Sequence, residues 1–188
     1  MLGKCLGRFI SSFIAVSVLL CSSVLAQTPV SSAPQSADDY VLGPGDIIKI
    51  KVFGEPELDL ETQLTNSGTL NYPFLGTIKV TGLTLKQVEQ RLYQGLKGDY
   101  FVEPNVFVGM VQYRPFYIHG EVKKPGGYPY QPGMTVDQAV ALAGGMTERA
   151  SREDIIISRE GDKATKQKGN LNTQISAGDT ITIEQRFF

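Results

Sequence analysis

The side chains that could do chemistry are few and poorly grouped. His119 is the sole histidine in 188 residues, so no histidine cluster exists to hold zinc. Both cysteines, Cys5 and Cys21, lie in an apolar N-terminal stretch. No GxxxxGK[ST] loop is present to cradle a nucleotide's phosphates. Carboxylates are more plentiful: Glu55, Glu57, Asp59 and Glu61 stand close together, and a pair of carboxylates can hydrolyse a glycosidic bond. These four fall in a polar, loop-like connection where spacing alone sets no separation between two of them, so they read as solvated. Asp46 follows Gly43-Pro44-Gly45, where a short acid accepts nearby backbone N–H groups and braces a turn. His119 sits beside Gly120 on a strand pattern and reads as a strand or interface residue. The residues therefore point to a protein that is not an enzyme and uses no cofactor or metal.

The elements around these residues are legible from periodicity and punctuation. The turn at Tyr40–Asp46 leads into a strand over Ile47–Phe53. Ser67-Gly68 is a turn signal between two short strands, and Thr77–Val80 is a further strand. Thr84 and Gln87 form a capping box for a helix running to about Lys97, with Leu85, Val88, Leu92 and Leu96 on one face. Asn105–Tyr113 carries apolar residues on both faces and predicts a central strand. Phe116, Ile118 and Val122 alternate with polar residues, as in a half-buried strand. Lys123–Gly127 is turn chemistry, and Tyr128-Pro129-Tyr130 runs extended, the proline suiting an edge. Thr135 and Gln138 form a second capping box, and Val136, Ala139, Val140 and Ala143 give a short helix an apolar face that Gly144-Gly145 ends. Asp154–Ser158 is a strand, Arg159–Asp162 a turn, Lys163–Asn172 a polar stretch with at most a weak strand, and Thr180–Ile183 the last strand. The fold class is α+β, with two small mixed sheet-and-helix units. An internal echo accompanies them: Leu42–Ile50 parallels Ile175–Ile183, and Gly82–Gln87 parallels Gly133–Gln138.

The N-terminus reads as a secretory signal over residues 1–26, with Lys4 and Arg8 before an apolar run and cleavage between Ala26 and Gln27. The run Ile10–Leu20 is short for a membrane span. Two other readings stay open: an uncleaved anchor over Phe9–Ala26, and lipidation at Cys21, where Leu20 stands in place of the small residue such a signal wants. Cleavage leaves a chain without cysteine, and so without a disulfide in an oxidising compartment. It removes two of the 18 basic residues and none of the 19 acidic ones, for a formal charge of −3. That balance gives no basic face for nucleic acid. Residues 27–39, rich in proline, serine and alanine, form a flexible linker.

Two stretches resemble known families. Tyr40-x-Leu42-x-Pro44-Gly45-Asp46, Asn71–Gly76, the helix start at Gly82-Leu83-Thr84, and Tyr100-x-x-x-Pro104-Asn105-Val106 resemble the polysaccharide biosynthesis/export domain, over residues 40–114. Ile118, Gly120, Val122, Pro125 and Gly126, followed by Ala143-Gly144-Gly145, resemble the SLBB (soluble-ligand-binding β-grasp) domain, over residues 115–188. Together they identify the chain as a member of the outer-membrane polysaccharide export family. The resemblance implies a periplasmic component of capsule or exopolysaccharide export, at the inner face of the outer membrane. It implies a homo-oligomeric ring as conduit for a polysaccharide, with an inner-membrane polysaccharide co-polymerase as partner. Long members carry a C-terminal membrane helix. No such helix fits after Ile183 and Phe187-Phe188 is too short to span anything, so a separate outer-membrane barrel is expected. Tyr113, Arg114, Tyr117, Tyr128 and Tyr130 are the candidates for polysaccharide or interface contact, because aromatic rings stack on sugar faces and Arg114 suits acidic sugars. The alternative is a periplasmic glycan-binding module that forms no pore.

Overall fold

The computed structural model describes residues 39–160 and 162–186, with backbone alone for 162–165. The expectations for the signal and its cleavage at Ala26 and Gln27, for Cys21, for all but the end of the linker and for Phe187-Phe188 lie outside the described residues.

The first half is built on β1 (Ile47–Val52), whose alternation of half-buried and buried residues puts Ile48, Ile50 and Val52 in the core. β2 (Leu60–Gln63) and β5 (Val106–Gln112) flank it, both antiparallel, in the order β2-β1-β5. A hairpin of β3 (Thr69–Tyr72) and β4 (Gly76–Lys79) lies between them in sequence. Helix α1 (Leu85–Leu96) starts at a complete capping box: Thr84 N–H donates to Gln87 Oε1 at 2.9 Å, and Gln87 N–H donates to Thr84 Oγ1 at 3.3 Å. Its buried residues are Val88, Leu92 and Leu96. Each such burial stabilises by about 1.5–3 kcal/mol, which a helix of this length needs, being marginal alone.

β5 is an edge strand, not the central one its composition predicts. Val106 and Val108 point into the core, while Phe107 and Val111 remain exposed. Phe107 finds partial cover over its own strand, at Gly109, where a Cβ would lie 3.0 Å from its ring. The Glu89 side chain of α1 reaches the β5 backbone, accepting the Val108 N–H at 3.3 Å.

The second half is a five-stranded mixed sheet in the order β7-β6-β10-β8-β9. β6 (Phe116–Gly120) and β10 (Thr180–Gln185) run parallel, and the other pairs are antiparallel. β7 (Gly126–Tyr128) takes in the two glycines read as turn, and it is an edge, as Pro129 requires. β8 (Ala150–Arg159) begins four residues before the expected strand, and β9 (Asp162–Gly169) is a full strand against it. Helix α2 (Val136–Leu142) buries Val136, Ala139 and Val140, and Thr135 N–H donates to Gln138 Oε1 at 3.0 Å. Gly144 and Gly145 end it at φ +79 and +92. Val122 lies beyond β6, buried, in a single bridge to Met146. The fold is α+β.

Candidate functional site

The most connected polar cluster sits where the halves meet. Asp46 is wholly buried. Its carboxylate accepts the Gly43 N–H at 2.8 Å, the Tyr40 hydroxyl at 2.9 Å, the Arg114 N–H at 2.8 Å and the Arg114 guanidinium at 2.9 Å. Arg114 Nη1 also donates to the Tyr40 hydroxyl at 2.7 Å, and Nε donates to Glu160 at 2.5 Å. Arg114 thus joins the first turn of one half to the end of β8 in the other. Burial works against its charge, but Tyr40, Asp46 and Glu160 more than offset that and raise its pKa. Burial, then the Asp46 charge, pushes the Tyr40 phenol far above its ordinary range.

The backbone leaves room for this cluster at two glycines. A Cβ on Gly43 would lie 2.5 Å from Arg114 Nη1, and one on Gly178 would lie 2.2 Å from Glu160 Oε2. Beside the ion pairs runs an edge-to-face row of rings: Tyr40 to Tyr113 at 4.7 Å between centroids, and Tyr113 to Tyr130 at 5.7 Å. Such pairs add about 0.5–1.5 kcal/mol each beyond their burial.

Chemically this arrangement is a brace. The carboxylate's acceptor positions are occupied by Tyr40, Gly43 and Arg114. Glu55, Glu57, Asp59 and Glu61 are exposed, and Asp59 accepts the Val52 N–H at 3.3 Å. His119 is exposed on β6, its Nε2 3.1 Å from Thr182 Oγ1. Among the described residues no three metal-binding side chains come together, and no helix is long and apolar enough to cross a membrane.

The five contact candidates separate. Tyr113, Arg114 and Tyr130 are engaged in the joint, Tyr130 being buried. Tyr128 is half-buried, stacked on Phe116 at 6.0 Å, and its hydroxyl donates to the Lys124 carbonyl at 2.7 Å. Tyr117 remains 52% exposed, its ring against Gly127. The motif residues take structural places. Pro44 and Gly45 shape the first turn, Gly45 at φ +91. Pro125 leads into Gly126 at the start of β7. At Gly120, φ is +88 and a Cβ would lie 2.2 Å from the Ile183 carbonyl oxygen, so no side chain fits.

Sequence reasoning missed two features. Glu160 as the second partner of Arg114 left no local trace, since the two are 46 positions apart. The exposed stack of Phe74 on Tyr100, centroids 4.8 Å apart, was also missed. Phe74 has the one positive φ outside glycine among the described residues, +66, and an aromatic inside a Pro-x-x-Gly turn was its available signal.

Residues 34–111 match the family described as polysaccharide biosynthesis/export protein, and residues 115–167 match the SLBB domain. The chain is 29% identical over 208 residues to the exopolysaccharide production protein ExoF of Rhizobium meliloti, an alignment covering 97% of this chain and 48% of that protein. It is 30% identical over 166 residues to the polysialic acid transport protein KpsD of Escherichia coli, covering 79% and 28%. It is 29% identical over 185 residues to the EPS I polysaccharide export outer membrane protein EpsA of Ralstonia nicotianae, covering 80% and 48%. The chain thus spans about half or less of the length of these curated relatives. The two matches follow one another along the chain and leave Gln112, Tyr113 and Arg114 between them, at the joint: the chain carries a polysaccharide biosynthesis/export region followed by an SLBB domain.

Proposed function

We propose that this protein is a non-enzymatic periplasmic component of capsule or exopolysaccharide export that assembles into a ring-shaped conduit. The observation that carries the reading is the ordered pair of family matches, export region then SLBB domain, together with relatives named for polysaccharide production, transport and export. A conduit must pass a polymer without gripping it, so its contacts should be weak, polar and repeated. Tyr117 and, less openly, Tyr128 are the contact candidates whose rings are not engaged in the joint. A closed ring also needs two unlike faces on each protomer. The partners are an inner-membrane polysaccharide co-polymerase and an outer-membrane barrel.

Native mass spectrometry of the protein purified from periplasm tests the assembly. A closed multiple of the protomer beginning at Gln27 supports the soluble ring, and a lipidated Cys21 start moves it to a membrane surface. A strict monomer with saturable affinity for a short oligosaccharide replaces the conduit with the glycan-binding module. Deletion of the gene should abolish surface polysaccharide while synthesis of the polymer continues; unchanged surface polysaccharide would sink the export reading.

A further inference from the structure

The halves meet through side chains more than through packed elements. Among the described residues, no strand or helix of residues 40–112 packs extensively against one of residues 116–186. Across the joint run the Tyr40–Tyr113–Tyr130 rings and Arg114, which is followed by Pro115, so its backbone is confined to extended conformations. The two arms of Arg114 differ in kind. Toward Asp46 the guanidinium meets a carboxylate with no exposed surface, itself fixed by Gly43, Tyr40 and the Arg114 N–H. Toward Glu160 it meets one carboxylate whose side chain is 37% exposed. The Glu160 pair is part-buried, with its acid open to solvent, so it is weaker and more screened by salt than the pair with wholly buried Asp46.

We propose that Arg114 is a one-sided clasp: its Asp46 arm belongs permanently to the first half, and its Glu160 arm is the releasable contact that fixes the angle of the second. With the Glu160 arm open, the second half swings about residues 113–115 while both cores stay intact, as a hinge of a few connecting residues allows. Arg114 and Glu160 are then positioning residues, holding the five-stranded sheet in one direction relative to the first half. This inference stands apart from the export reading, because it depends only on the joint.

The test is a distance measurement by pulsed electron paramagnetic resonance on the full chain, with Cys5 and Cys21 replaced by serine. Spin labels go on Lys86→Cys in α1 and Ala141→Cys in α2, both exposed positions. The parent should give one narrow distance. Glu160→Gln should broaden it roughly twofold or add a second population, with the thermal midpoint little changed. Glu153→Gln, which removes an exposed acid away from the joint, should leave the distribution as it was. An unchanged distribution in Glu160→Gln, or equal broadening in both variants, overturns the proposal.

Discussion

The turns at Leu42–Asp46 and Ile175–Asp179 are built alike and used differently. In each, the aspartate accepts the N–H three residues before it: Gly43 to Asp46 at 2.8 Å, Ser176 to Asp179 at 2.7 Å. Each turn is tied to the residue preceding a helix cap, Leu42 N–H donating to the Leu83 carbonyl and Ile175 N–H to the Met134 carbonyl. Single bridges beside them repeat the match, Val41 with Thr84 and Gln174 with Thr135. Each feeds an interior strand of its sheet, β1 or β10. The difference lies in the arginine. Asp179 is served by Arg159, from the same half. Asp46 is served by Arg114, from the connection to the other half. One construction is therefore spent on an internal brace in one place and on the joint in the other.

The sharpest way to break that contrast is to remove the acids in turn. Asp46→Ala leaves Arg114 without its buried partner and orphans the Gly43 and Arg114 N–H groups, and it should cost about 3–5 kcal/mol in urea unfolding. Asp179→Ala frees an arginine that is one-third exposed and can turn to water, so about 1–3 kcal/mol is expected. Equal losses would show that the two turns carry the same weight. Gly43→Ala sharpens the comparison: its Cβ intrudes on the guanidinium and should push Arg114 off Asp46 for about 1–2 kcal/mol, whereas Ser176 already bears a side chain at the matching place. A solved structure of that variant with Arg114 unmoved would argue against the cradle.

The smallest effect is one of pH. Burial raises the pKa of Asp179 despite the Ser176 N–H and Arg159. The folded protein then holds that proton more tightly than the unfolded chain, so this group's contribution is most favourable below the ordinary carboxylate value of about 3.9. It declines as pH climbs from there through the raised folded value. Asp179→Asn should lack that decline, so the difference between variant and parent midpoints should shift in the variant's favour as pH rises through this range. A difference that stays constant over this range would contradict it.

What the sequence revealed follows the range of the interactions. The turns, both helix starts, the glycine stop at Gly144-Gly145 and the strand after Asp46 depend on neighbours within a few positions, and pattern alone places them. Asp46 as a turn brace was legible for the same reason. The place of β5 was not, because whether Phe107 and Val111 are covered depends on what else lies on that face. The length of β9 depended on pairing with β8, since its own residues, DKATKQKG, hardly alternate in polarity. The joint was least legible. Nothing local couples Arg114 to Glu160, and Tyr130 reads equally well as a surface ring until Tyr113 is found against it.

The parallel pairing of β6 with β10 has a consequence for how the chain matures. Among the described residues, β10 comes latest in sequence of the second sheet's strands, and it enters between β6 and β8 instead of adding at an edge. The first half opens with its middle strand and has all its partners by Gln112. As the chain emerges from its N-terminal end, that half can close early, while β6 must wait some sixty residues for its neighbour, a long-range pairing of the slow kind. During that interval the inner flank of β6 is an open template, and a folding helper or a misplaced strand would find it there.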